Sequence, residues 1–190
     1  MRTHVGLLSG VNVGKHNQLA MSDLRDIAER LGYGDVATYI RSGNVVFGSP
    51  GRGALELALE LEAAIEESTD VRTRVVVLSR DELAAVVSSN PYPQETDPKR
   101  LHAVFHRDPI GPDEVAAVRA AEERASAKGS RDEATARGAC LYLRTPDGLG
   151  RSVLAAELGR RRGSGAQQPV QTMRNWATVT RLLEMLDAPA

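Results

Sequence analysis

VGLLSGVNVGKHNQLAMSDLRDIAERLGYGDVATYIRSGNVVF, residues 5–47, sets the reading of the whole chain. Val5-Gly-Leu-Leu is a short apolar run ending at Gly10, the pattern of a strand buried on both faces. The loop Gly10-Val-Asn-Val-Gly-Lys-His-Asn follows. From Ala20 the period changes: Met21, Leu24, Ile27, Ala28 and Leu31 fall on one helical stripe, which Gly32 and Gly34 stop. Val36 to Arg41 and Val45 to Phe47 are rich in β-branched and aromatic residues and read as a hairpin around Ser42-Gly43-Asn44.

Downstream, Leu55, Leu57, Leu59 and Leu61 alternate as in a strand, while Ala54, Ala58, Leu61 and Ile65 make an equally good helical stripe. Leu, Glu and Ala favour helix and no β-branched residue precedes Ile65 in this segment, so a helix is expected. Val71 to Leu78 reads as a strand, and Ser79 with Glu82 as a capping box for a helix through Val87. Strand, helix, strand, strand, helix, strand is the order of a ferredoxin-like unit.

Three prolines in Asn90-Pro-Tyr-Pro-Gln-Glu-Thr-Asp-Pro then break the chain, and the order restarts. Leu101 to His106 is an expected strand and Pro112 to Lys128 a helix. Arg131 to Ala136 with Ala139 to Leu143 is a hairpin around Arg137-Gly138, and Ser152 to Leu158 a helix. A weak sixth element is expected near Gln168 to Val170. Thr172 is the expected cap of a final helix with Trp176, Val179, Leu183 and Leu186 on one face. The expectation is an α+β fold: a tandem duplication of ferredoxin-like (βαββαβ) units, with antiparallel sheets and helices packed on one face. Residues 1–90 form the first subdomain, 91–99 a Pro-rich linker, and 100–190 the second subdomain with a C-terminal helix.

At 190 residues, 26% charged and 42% hydrophobic, the chain is long enough to bury a real core. Net charge is -1, which argues against a dedicated nucleic-acid binder, because such binding rests on phosphate neutralisation by Lys and Arg. One cysteine, Cys140, excludes an intrachain disulfide and a Cys-only zinc site. No secretory leader pattern and no apolar run of membrane-spanning length is present, so a soluble, cytoplasmic protein is expected.

LLSGVNVGKHN, TYIRSGNVVF, the DPKRLH strand, LYLRTPDGLGRS and TMRNWATV together resemble the DUF1697 family of bacterial proteins, across essentially the whole chain. The usual wording of that family is close to LLRGINVGGKN, SGNVVF, GIGRS and RNWNTV. The resemblance implies an α+β protein of duplicated ferredoxin-like halves and leaves the activity unassigned. Ser9 stands where the family typically has Arg, Lys15 where it has Gly, and Ala177 where it has Asn. An altered or weakened family activity follows from those departures, with Lys15 and His16 as sources of replacement charge.

The loop from Gly10 to Asn17 follows a strand and precedes a helix, where backbone N–H groups hold anions. Gly10-x-x-x-Gly14-Lys15 is one residue short of a phosphate loop, and His16 replaces its Ser/Thr, so nucleotide hydrolysis of that type is rejected. The competing reading makes Asn12 and Asn17 turn formers bonded to their own backbone. Arg41-Ser42-Gly43-Asn44 places a guanidinium, a hydroxyl and an amide at a hairpin tip, or serves the turn alone through left-handed Gly43 and Asn44. Arg151-Ser152 precedes a helix, and Arg174-Asn175 is placed in the first turn of the last one. An Arg there needs an anion to offset the helix dipole, and its planar fork suits carboxylate or phosphate. Trp176 reads as core more than as a stacking platform.

The expected ligand-binding residues are thus Asn12, Lys15, Asn17, Arg41, Ser42, Asn44, Arg151, Ser152, Arg174 and Asn175. They point to a polar cleft between the halves for a small phosphate- or carboxylate-bearing ligand. Whether the protein is an enzyme stays open, and no cofactor is expected. No metal is expected either, since His102 and His106 share a strand face but lie about 13 Å apart. The alternatives are an RNA-associated module, which lacks the aromatic pair expected on its strands, and a homo-oligomeric interaction protein, for instance a homodimer. Cys140 reads as an inert structural residue and Arg160-Arg-Arg-Gly-Ser-Gly as a solvated basic loop.

Overall fold

The computed structural model describes residues 1–14, 17–160 and 169–189. Lys15, His16 and the basic loop after Arg160 lie outside the described residues. The rest contains two four-stranded antiparallel sheets and six helices in an α+β arrangement. The chain divides into two compact units. Unit 1 comprises Met1–Ser88, Val170–Thr172 and Val179–Ala190; unit 2 comprises Ser89–Pro169 and Met173–Thr178.

The first sheet is built from β1 (His4–Ser9), β2 (Gly34–Thr38), β3 (Asn44–Gly48) and β4 (Arg74–Ser79), in the order β2-β3-β1-β4. Central β1 pairs antiparallel with β3 (Val5 opposite Val46) and with β4 (Val5 opposite Leu78). That position explains its continuous apolar run, since both faces of the strand are buried. Two helices, α1 (Met21–Arg30) and α2 (Ala54–Ser68), pack with this sheet. Leu24, Ile27 and Ala28 of α1 join Leu57, Ala58, Leu61 and Ile65 of α2 in one core with Leu8, Phe47 and Val75. Tyr33 stacks on Phe47 at 4.4 Å between ring centroids. Each fully buried Leu or Ile contributes roughly 1.5–3 kcal/mol relative to exposure.

The ambiguous leucine run is helical. Residues 57, 61 and 65 fall one turn apart on the buried face, and Leu55 and Leu59 are left in solvent. The strand expected from Val71 starts only at Arg74, although Val71 is buried in the same core. The capping box is present: Ser79 Oγ accepts from the Glu82 N–H at 3.2 Å, and the Glu82 carboxylate accepts from the Ser79 N–H at 2.7 Å. It opens α3 (Arg80–Ser88).

The second sheet uses β5 (Leu101–His106), β6 (Glu133–Arg137), β7 (Cys140–Arg144) and β8 (Gln171–Asn175), in the order β6-β7-β5-β8. Val118 and Ala121 of α4 (Pro112–Ser126), with Leu154 of α5 (Val153–Arg160), cover Val104, Leu141 and Leu143. Renumbered within each set of four, the strand order of the two sheets is the same.

The chain end departs from expectation. Thr172 and Arg174 lie in β8, and the last helix, α6, runs from Trp176 to Asp187. Its N-cap is Asn175, whose Oδ1 accepts from the Thr178 N–H and hydroxyl, each at 2.9 Å. Thr172 instead donates its hydroxyl to the Leu8 carbonyl at 3.0 Å. Strand pairing overrides a weak local helix signal here, and Asn is a stronger cap than Thr. The buried stripe of α6 runs through Val179, Leu182 and Leu186, with Leu183 half-buried.

Candidate functional site

In unit 1 the structure joins the first loop to the hairpin tip through one amide. Asn12, at φ +56°, donates from Nδ2 to the carbonyls of Leu19 (2.9 Å) and Arg41 (2.7 Å), and its Oδ1 accepts from the Leu19 N–H at 3.0 Å. The Asn12 N–H also meets the Asn17 carbonyl at 2.9 Å, closing the loop on itself. Asn17, likewise left-handed at φ +52°, is exposed, and its side-chain contacts to Gly10 O and Arg72 O are both long at 3.5 Å. Asn44 is fully buried and donates to Tyr39 O (2.9 Å) and Ser42 Oγ (3.0 Å), bracing the tip from beneath. Asn12 and Asn44 thus hold the backbone, while the exposed polar groups are Asn17, Gln18 and Arg41.

The tip has more residues than a turn requires. Tyr39 N–H meets Asn44 O at 3.0 Å, and Ile40, Arg41, Ser42 and Gly43 lie beyond that pair. In the β6–β7 hairpin Arg137 pairs with Cys140, and only Gly138 and Ala139 lie between. Gly43 is left-handed as expected (φ +74°), but the second left-handed residue is Ile40 (φ +46°) rather than Asn44. A β-branched residue at positive φ is strained, and Ile40 is also half exposed. Gly43 has a second reason to be glycine: an added Cβ would sit 2.5 Å from Val11 Cγ2 and 2.8 Å from Leu8 Cβ. Arg41 stands beside Ile40, exposed, and among the described residues it has one long contact from Nη2 to Gln18 Oε1 (3.5 Å) and no ion pair.

In unit 2 the other expected residues take different roles. Ser152 is the N-cap of α5, its Oγ accepting from the Ala155 N–H at 2.9 Å and donating to Asp132 at 2.9 Å. Arg151 ends a single 3₁₀ turn (Leu149–Arg151) and is exposed, with no ion pair among the described residues. Arg174 sits in β8 rather than in a helix turn, so the dipole argument for it lapses. It is 7% exposed, and its Nη1 donates to the Met173 carbonyl at 2.8 Å. Burial pushes its guanidinium down to about 10, still cationic at neutral pH. Asn175 caps α6, and Trp176 is half-buried 6.2 Å from the Tyr142 ring.

Sequence reading missed the buried carboxylates Asp132 and Glu157, for lack of a local signal. The Asp132 carboxylate accepts from Ser130, Ser152 and the Leu154 N–H, doubling the cap on α5. Glu157 gathers Lys128, Arg124 and Arg160, at 2.5, 3.2 and 3.2 Å, and the Lys128 and Arg124 hydrogen bonds hold its carboxyl below the usual range. His4 and His102 are buried, and burial lowers the proton affinity of both rings. Buried Cys140 has its thiol pushed up to about 12, which keeps it protonated. Among the described residues no group of three or more His, Cys, Asp or Glu side chains is placed to hold a metal ion, and no helix is long and apolar enough to cross a membrane.

The fold and these loops define a small α+β protein with two four-stranded antiparallel sheets and a braced polar loop pair in unit 1. Residues 1–142 match the family model described as "Protein of unknown function (DUF1697)", and the chain belongs to that family. The fold is similar to that of the conserved bacterial protein SP0830 from Streptococcus pneumoniae, with a TM-score of 0.65 at 20% sequence identity, covering 97% of this chain and 98% of that one. No curated protein matches the sequence.

Proposed function

We propose that the protein binds a small phosphate- or carboxylate-bearing ligand, with the loop pair of Gly10–Asn17 and Tyr39–Gly43 as its anchor. The supporting observation is Arg41, an exposed guanidinium with no ion pair among the described residues, carried on a hairpin tip that is braced from two sides and longer than its turn requires. An exposed cation loses little on binding an anion where its backbone is already held, as Asn12 and Asn44 hold the hairpin tip. Arg151 and Arg174 are further candidates, each described within unit 2. The same strand order in both sheets, and a capped helix directly after β4 and after β8, support reading the chain as a duplicated ferredoxin-like unit.

Thermal-shift and calorimetric titration with inorganic phosphate, acetate and succinate tests the ligand reading. At least one of them is expected to raise Tm in a saturable way, and Arg41→Ala is expected to abolish that rise while leaving the ligand-free Tm within about 2 °C. Arg174→Ala asks separately whether the buried guanidinium contributes. No saturable response to any of the three anions sinks the reading, as does a response unchanged in Arg41→Ala and in Arg174→Ala.

A further inference from the structure

We infer that the ligand of the loop pair is a small carboxylate with a short aliphatic body, met by Arg41 at its charge and by Val13 and Ile40 at its hydrocarbon. This rests on the anion reading above and names the part of the ligand which that reading leaves open.

Among the described residues the exposed large hydrophobic side chains are Met1, Val13, Ile40, Leu55 and Leu59. Met1 is the chain end, and Leu55 and Leu59 lie one turn apart on α2, but Val13 and Ile40 stand on the two loops of the anchor. They flank one contact: Asn12, next to Val13, donates to the carbonyl of Arg41, next to Ile40, at 2.7 Å. A second link starts at Gly14, on the other side of Val13. Gln18 Nε2 donates to the Gly14 carbonyl at 3.0 Å, and Gln18 Oε1 lies 3.5 Å from Arg41 Nη2. Both apolar residues are thus chain neighbours of groups that hold or reach Arg41.

Neither side chain serves the core. Val11 is 3% exposed and joins the core with Leu8, whereas Val13, two residues on, is 71% exposed. Ile40 is 49% exposed and holds φ +46°, where Asn or Gly costs less and a β-branched residue is strained. Strain that no packing offsets points to a surface task for the residue. Two aliphatic side chains beside one cation fit a ligand with one charged and one apolar part. They are too few to hold a membrane surface, which takes an acyl chain or a cluster of basic residues.

The test titrates the full chain with isovalerate, acetate, glycerate, whose body is polar, and 3-methylbutanol, which lacks the carboxylate. The reporters are the Val13 and Ile40 methyl signals in proton–carbon spectra, assigned by those lost in Val13→Thr and Ile40→Asn. Isovalerate is expected to move both saturably and to bind roughly tenfold more tightly than acetate or glycerate, with no saturable response to 3-methylbutanol. Ile40→Asn suits the left-handed backbone, so it is expected to raise the ligand-free Tm while bringing isovalerate down to the acetate level. Arg41→Ala is expected to abolish binding of both acids. The inference is overturned if isovalerate binds no tighter than acetate, or if the preference survives in both Ile40→Asn and Val13→Thr. It is equally overturned if Ile40→Asn lowers the ligand-free Tm, which would make Ile40 a packing residue, or if the chain responds only to phosphatidylserine vesicles. Where acetate or phosphate still binds through Arg41, the failure belongs to this inference alone; where no anion binds, the anion reading falls with it.

Discussion

Gly43 shows how much one residue decides. It satisfies a positive φ and a close approach together, and Leu8 and Val11 are core residues that cannot move aside cheaply. Gly43→Ala is expected to destabilise unit 1 by about 2–4 kcal/mol, through strain and overpacking combined. A urea midpoint unchanged from the parent protein would contradict that. The glycine itself was legible in the sequence, because a Ser-Gly-Asn connection asks for left-handed backbone. What it packs against was not, since Leu8 and Val11 are distant in the chain. Asn12 and Asn44 follow the same rule. Their types suggest turns, but the bond from Asn12 to the Arg41 carbonyl spans 29 positions and has no local signature. Binding residues and bracing residues look alike until the partners are known.

Among the elements, the helices declared themselves most clearly where one period repeated often enough. In α1 the apolar stripe is unambiguous. In α2 the leucine run supports two periods, and helix propensity decides correctly between them. A direct check is available: Leu61→Ala is expected to cost about 2–5 kcal/mol and Leu59→Ala under about 0.5 kcal/mol, in parallel denaturant curves. Equal costs would mean the buried face is assigned wrongly. Strand β8 was misread because Gln-Thr-Met-Arg-Asn is short, alternates weakly and leads straight into a helix with no intervening loop. Its strand character comes from its neighbour in the sheet, which a local window does not contain. The same misreading placed Arg174 at a helix terminus and gave it an electrostatic role that its strand position removes.

At the scale of the molecule, each unit buries a histidine on its first strand, His4 in unit 1 and His102 in unit 2. Burial lowers both proton affinities, so the folded state binds fewer protons than the unfolded chain, whose histidines titrate near 6.5. The stability due to these neutral rings is therefore complete above about pH 6.5 and is lost as the pH falls through that value toward the lowered folded one. Urea midpoints are expected to decline between roughly pH 7.5 and 5.5, and the decline is expected to be shallower in His102→Leu. An identical slope in that variant would remove His102 from the account. The composition of unit 1 has a separate consequence, for biosynthesis. Val179–Ala190 belongs to the same compact unit as Met1–Ser88, and Arg2 and Arg80 grip Met185 and Asp187 at the end of α6. That last piece is translated roughly ninety residues after Ser88, a delay of about 5–20 s at ordinary elongation rates. The nascent first sheet must wait that long for its final helix. A chaperone that shields exposed strands on the ribosome is expected to raise the yield of this protein more than that of one whose units close in the order they are made.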